Sequence, residues 1–218
     1  MGKILGLEQV RATKHKVLEF DGAWRAAFGR PARTGTWLIW GSSNSGKTRF
    51  ALQLCKYLCR FGRVAYDSLE EGNSLSMQRA IEQTAMTEVS GKFVLLDKMT
   101  LSELEGYMRN PKGPNFVVID SFQYARLNYT RYVDLKERFP NRLIILISHA
   151  EGKEPKGSAA KAVRYDVDCK IRVEGFKALV AGRFIEGKSE PYVIWEEGAN
   201  TYWGDNEKDN NNQDEQED

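Results

Sequence analysis

No apolar run in the 218-residue chain approaches the roughly 20 residues that a membrane-spanning helix needs, so none is expected. The opening Met-Gly-Lys-Ile-Leu-Gly-Leu-Glu has neither a long apolar stretch nor a cleavage-like site, which argues against a secretory leader. Cysteine is scarce and odd in number: Cys55, Cys59 and Cys169. Cys55 and Cys59 fall four apart on what reads as one helix face, a spacing that fits buried packing. No second Cys or His cluster completes a zinc site. A reducing cytoplasm agrees with this usage. Internal repeats are also missing. Hydrophobic residues make up only 41% of the chain and charged residues 28%, so the apolar material must be concentrated in a few segments.

The charge is unevenly spread. Residues 205–218 hold seven acids and one lysine, a balance of −6, while the whole chain carries +2. Residues 1–204 are therefore at +8. The acidic, Asn/Gln-rich end has no aromatic residue and cannot bury enough surface to order itself, so a disordered tail over 204–218 is expected. It would serve as a solubilising tail, or else bind basic partners or compete for the body's basic loops. The positive body permits nucleic-acid binding without requiring it. The length suits one domain, expected over 20–203, behind an N-terminal segment 1–19 of uncertain type.

Within that body, short apolar runs alternate with helical patterns. Runs at 36–40, 64–68, 93–96, 116–120 and 143–148 read as strands. Helical spacing follows at 48–61, 74–86, 101–108, 133–139 and 159–165, with an earlier short helix at 21–28. This alternation predicts an α/β fold with a mainly parallel sheet covered on both faces. Runs at 169–173, 179–184 and 192–196 are joined by short turns and predict an antiparallel edge.

Between the first run and the helix after it lies Gly41-Ser42-Ser43-Asn44-Ser45-Gly46-Lys47-Thr48, a complete G-x-x-x-x-G-K-[ST] pattern. Each fixed position has a chemical reason. The glycines let backbone N–H groups turn inward around phosphates, and the following helix presents its N-terminus to the same anion. Lys47 offers a point charge to the β- and γ-phosphates. The Thr48 hydroxyl is a hard oxygen ligand for magnesium. A strand before the loop and a helix after it supply the context that the pattern requires. A nucleoside triphosphate with Mg2+, ATP by expectation, is the implied ligand.

Three further positions complete the expected site. Asp120 ends an apolar strand, the place from which a carboxylate holds the metal. Glu70, after the second strand, is the expected general base that orients and deprotonates water, with Glu71 as its competitor. His149, beside Ser148, ends the fifth strand at the edge where ligands bind in open α/β sheets, and is the candidate γ-phosphate sensor.

Taken together these motifs resemble a RecA-type P-loop ATPase core, closest to the RadA/Sms branch and to the ATPase domain of DnaB-type helicases. The resemblance spans roughly 20–197. It rests on the loop, on Tyr66-Asp67-Ser68-Leu69-Glu70, on Val118-Ile119-Asp120-Ser121, on Ser148-His149 and on Gly182-Arg183-Phe184. It implies ATP hydrolysis on DNA in recombination, repair or replication, by a homo-oligomeric ring or filament. In that setting Arg183 is the candidate finger toward a neighbouring subunit's nucleotide. The loops around 124–130 and 151–164 would face single-stranded DNA through Arg126, Lys153, Lys156, Lys161 and Arg164, with Tyr124 and Tyr129 for stacking. Neither the zinc finger and protease-like domain of RadA nor the collar of DnaB is read in these 218 residues, so a bare core is expected. Where RadA has Lys-Asn-Arg-Phe-Gly it reads Ala181-Gly182-Arg183-Phe184-Ile185, so the lysine is missing.

Two other function classes share the loop. One is an ATP-switched loader or adaptor with little turnover, which the single domain and altered finger motif favour. The other is a small-molecule kinase, whose basic lid the 151–164 segment would imitate. The GTPase base-reading motif and the ABC signature are both missing from the sequence.

Overall fold

The computed structural model describes residues 3–185, 187 and 189–204. The acidic 205–218 stretch lies outside these residues. The strands are β1 (Gly35–Gly41), β2 (Val64–Ser68), β3 (Phe93–Asp97), β4 (Phe116–Asp120), β5 (Leu143–Glu151), β6 (Glu154–Pro155), β7 (Cys169–Glu174), β8 (Lys177–Gly182) and β9 (Tyr192–Val193). The helices are α1 (Leu7–Ala12), α2 (Gly22–Phe28), α3 (Lys47–Leu58), α4 (Leu75–Gln83), α5 (Leu101–Arg109), α6 (Tyr129–Arg138) and α7 (Ser158–Asp166).

One sheet runs in the order β3-β2-β4-β5-β1-β7-β8-β9, with β6 hairpinned onto β5. The strands from β3 to β7 pair in parallel, and β8 and β9 add antiparallel at the edge. This is the α/β architecture that the alternation predicts. The central strands are buried on both faces, and side chains alternate between two cores. Trp37, Ile39, Tyr66 and Val118 face α2 and α3, while Leu38, Trp40, Ala65 and Ile119 face α5, α6 and α7. A strand covered on both sides must be apolar throughout, which is why these segments read as continuous runs.

Several boundaries differ from the sequence reading. Helix α6 begins at Tyr129 rather than 133 because the Asn128 side chain caps it, accepting from the Arg131 amide at 2.9 Å. The 151–158 loop is ordered as the β5–β6 hairpin, with Gly152 at φ 61° in its turn. Strand β9 stops at Val193, and residues 196–204 are helical instead of continuing the expected strand or opening the tail. Glu196 and Glu197 begin that helix, where acids complement the helix dipole. Its Ala199 is buried. Tyr192 holds this end of the chain by stacking on Trp24 at 4.1 Å between ring centres.

Asp67 is the one charged side chain on β2 buried against the α5 side. Its Oδ1 accepts from the Met99 amide at 3.1 Å, and its Oδ2 has no hydrogen-bond partner. Burial, with Glu103 and Asp97 nearby, pushes its carboxyl up to about 7. A raised carboxyl binds its proton more tightly in the folded than the unfolded state. Its contribution to stability is therefore fully present below the unfolded value and lost as pH rises through about 7. Asp67→Asn is expected to flatten the pH dependence of the urea midpoint between pH 5 and 8, with a gain of about 2–4 kcal/mol over wild type at pH 8. Parallel pH curves for the two proteins would contradict this account of Asp67.

Candidate functional site

The sheet register gathers the site at one end. Gly41 of β1 pairs with His149 of β5, and Asp120 of β4 pairs with Ser68 of β2. All lie at the carboxyl ends of parallel strands, the edge at which open α/β sheets hold ligands.

The glycine loop leaves β1 at Gly41. A Cβ there would stand 2.2 Å from the Val173 carbonyl oxygen of β7, so neighbouring backbone excludes any side chain. Asn44 adopts φ 60° and Gly46 φ 97°, the left-handed turns that bring successive amides to one side of the loop. Helix α3 then starts at Lys47 and aims its free N–H groups into the cavity. Because a carbonyl in a paired strand cannot swing aside, Gly41→Ala is expected to cost about 1–3 kcal/mol of stability by overpacking. Gly106, in mid-α5, has open space around a built Cβ, so Gly106→Ala is expected to stabilise by about 0.5–1 kcal/mol. Urea unfolding of both variants checks the pair. Equal effects at the two sites would contradict the packing argument.

The cavity has a volume of about 620 Å³. Lys47 donates to the Ser42 carbonyl at 2.6 Å. Burial lowers its pKa, and the charges of Asp120 and Glu70 pull it back up. Asp120 is partly buried beside two other carboxylates, and its pKa rises to about 6 mainly through desolvation, with Glu70 and Glu71 adding repulsion. The Tyr66 hydroxyl donates to Asp120 Oδ2 and Lys47 sits near, both opposing that rise. A buried acid held this high gains most from a cation beside it. Thr48 lines the same cavity. No cluster of three or more His, Cys, Asp or Glu among the described residues could hold a metal alone. Thr48 and Asp120 offer the hard oxygen donors that magnesium takes, so the residues present fit such an ion.

Glu70 and Glu71 part company. The Asp120 carbonyl accepts from the Leu69 and Glu70 amides at 2.7 and 3.2 Å, which fixes the turn after β2 against the end of β4. Glu70 Oε2 then lies 2.8 Å from His149 Nε2. Glu71 Oε2 instead accepts from the Ser76 and Ser74 hydroxyls at 2.5 and 3.3 Å, tying it to the start of α4. His149 is held from behind, because its amide donates to Gln123 Oε1 at 3.3 Å. Gln123 Nε2 donates to Ser148 Oγ and to the Lys156 carbonyl at 2.8 and 3.1 Å, joining the end of β5 to the basic segment after it.

The more distant expected residues divide. Arg126 at φ 49°, Lys153 and Lys156 are exposed on the segments following β4 and β5. Lys161 and Arg164 sit on α7 and are ion-paired with Glu151 and Glu154 at 3.2 and 3.0 Å. The sequence reading grouped all of these as cations facing DNA, with 159–165 expected as a short helix. The β5–β6 hairpin is what brings their acidic partners within reach. Arg183 is not at this end of the sheet. It pairs with Asp168 at 3.4 Å beside Gly35, at the opposite end of β1 from the loop. Arg49, Gln83, Phe176 and Trp195 line the cavity without having been expected there. Phe176 and Trp195 arrive only through the fold-back of β8 and β9, a contact that no local pattern announces.

No protein-family model matches the chain, and no curated protein sequence matches it. Solved structures do. A KaiC-like protein from the hyperthermophilic archaeon Pyrococcus horikoshii superposes with a TM-score of 0.60 at 17% identity, covering 82% of this chain and 94% of that one. The flagellar accessory protein FlaH from Methanocaldococcus jannaschii superposes with a TM-score of 0.57 at 15% identity, covering 82% and 93%. The fold is thus the RecA-like P-loop fold expected from the motifs, as a core without large additions among the described residues. None of the described helices is long and apolar enough to cross a membrane.

Proposed function

We propose that this chain binds ATP with magnesium in the loop from Gly41 to Thr48 and hydrolyses it, and that it does so on single-stranded DNA. The observation that carries the reading is the convergence of Lys47, Glu70, Asp120 and His149 on one cavity at the strand ends. The loop amides and the α3 N-terminus bind the phosphates, and Lys47 neutralises the terminal ones. Thr48 and Asp120 would hold magnesium, which would supply neutralising charge to the phosphates. Glu70 orients a water and takes its proton as the water oxygen attacks the γ-phosphorus and the bond to the β-γ bridging oxygen breaks. His149 positions Glu70 and meets the γ-phosphate side of the cavity. The working unit is residues 20–203, flanked by 204–218 and by 1–19, of which Leu18 packs into the core.

The DNA part rests on Arg126, Lys153, Lys156 and the exposed Tyr124, which follow the same strand ends that carry Asp120 and His149. Gln123 joins these segments to the site. Such a surface grips backbone and stacks bases without reading sequence. ATP turnover is expected to rise when single-stranded DNA is added at low salt, and the gain to fade as salt increases. An unchanged rate together with no DNA retention would remove the DNA part.

A second reading has a specific observation behind it. Arg183 is engaged by Asp168 within its own chain, so a finger into a neighbouring subunit's site would require breaking that pair. The chain would then act as a nucleotide-switched adaptor or loader. Tight ATP binding with very slow turnover, unaffected by DNA, would select it.

A further inference from the structure

Part of the cavity wall has no role in holding phosphate or metal. Arg49 directly follows Thr48 on the first turn of α3, and the Trp195 indole stands over it, with the guanidinium 5.7 Å from the ring centre. Arg49 Nε is buried without a hydrogen-bond partner. Trp195 keeps 37% of its surface exposed while lining the cavity. The ring is held firmly. Phe176 meets it edge-on at 5.0 Å and 85°, and a Cβ on Gly198 would come within 2.3 Å of it. The Ile194 amide donates to the Phe176 carbonyl at 2.8 Å, which anchors the strand end just before the indole.

The geometry points to a nucleobase subsite formed by Arg49 and Trp195, with Phe176 behind and Gln83 at the rim, that takes purine rings by stacking. This rests on the reading that a triphosphate occupies the Gly41–Thr48 loop. A group attached to those phosphates lies beside the first turn of α3, where Arg49 and Trp195 are the flat surfaces on offer. An aromatic ring and a guanidinium both attract the π-face of a base, and every base has one. Edge reading is another matter. The acids lining the cavity are Glu70, Glu71 and Asp120, and these are engaged with His149, with the serines of α4 and with Tyr66 respectively. Among the described residues lining the cavity, no carboxylate is left to pair with the N1–H and amino group of guanine. The Gln83 amide presents a donor or an acceptor by rotating, so it accepts either purine. ATP and GTP should bind alike, and the larger purine faces should bind more tightly than pyrimidines.

Equilibrium binding of ATP, GTP, CTP and inorganic tripolyphosphate, each with magnesium, to the full chain tests this. Trp195→Ala is expected to weaken ATP and GTP by roughly tenfold to a hundredfold, the effect of one lost stacking partner. Tripolyphosphate should bind unchanged, which also shows that the variant is folded. Trp195→Phe should restore most of the purine affinity. Wild-type ATP and GTP affinities should agree within about threefold, under 1 kcal/mol. Equal weakening of ATP and tripolyphosphate by Trp195→Ala, or no weakening of either, would overturn the subsite. A tenfold preference between ATP and GTP would overturn stacking as the means of recognition. Lys47→Ala separates the two readings, since it should weaken tripolyphosphate and nucleotides together. A wild-type chain that binds none of the four would remove the triphosphate reading along with the subsite.

Discussion

Lys47→Ala is expected to lower the affinity for magnesium ATP by about 100-fold, close to 2.7 kcal/mol. The loss is large because the loop has no second cation. Among the described residues lining the cavity, Lys47 and Arg49 are the two lysine or arginine side chains, and Arg49 is turned toward Trp195. Removing Lys47 leaves the phosphates with backbone amides and the helix end alone. It also removes the charge that offsets Asp120 and Glu70. The apo protein should tolerate the change, because the lysine's own burial disfavours its charge. Calorimetric titration should therefore show weak binding by a chain whose unfolding midpoint is unchanged. Retained affinity would mean that the loop does not hold phosphate.

Glu70→Gln is expected to lower ATP turnover by about 10²–10⁴-fold while leaving ATP affinity within a few-fold. Glutamine keeps the shape and can still meet His149, but it cannot take the proton from water. Glu71→Gln is the internal comparison. Its carboxylate is spent on Ser74 and Ser76, so turnover should fall by less than about fivefold if Glu70 is the base. Quenched-flow hydrolysis of bound ATP separates the chemical step from release. A Glu71→Gln defect as deep as that of Glu70→Gln would assign the proton transfer wrongly.

The contrast between these two acids shows what the sequence could and could not carry. The glycine loop was readable because every chemical demand on it is met within eight consecutive residues. The sheet was readable because strands buried on both faces must be apolar throughout. Glu70 and Glu71, by contrast, are adjacent and alike. What separates them is the Asp120 carbonyl at the end of the adjacent strand β4 catching the Leu69 and Glu70 amides. The basic segment shows the same limit. Lys161 and Arg164 look unpartnered along the chain, and only the β5–β6 hairpin sets Glu151 and Glu154 against them. Trp195 lay hidden at the end of a run that read as strand, because its place depends on Tyr192 stacking on Trp24 over 160 residues earlier. Local chemistry announces itself in sequence, whereas partners chosen by the fold do not.

The most direct test is phosphate release from ATP by the full chain at saturating magnesium, beside the same chain with the metal chelated and beside Glu70→Gln. The site described predicts steady release by the wild-type protein, stopped by chelation and nearly abolished by Glu70→Gln. Release that survives both treatments would place hydrolysis outside this cavity, and no release by the wild-type chain, with or without single-stranded DNA, would contradict the proposal that it is an ATPase.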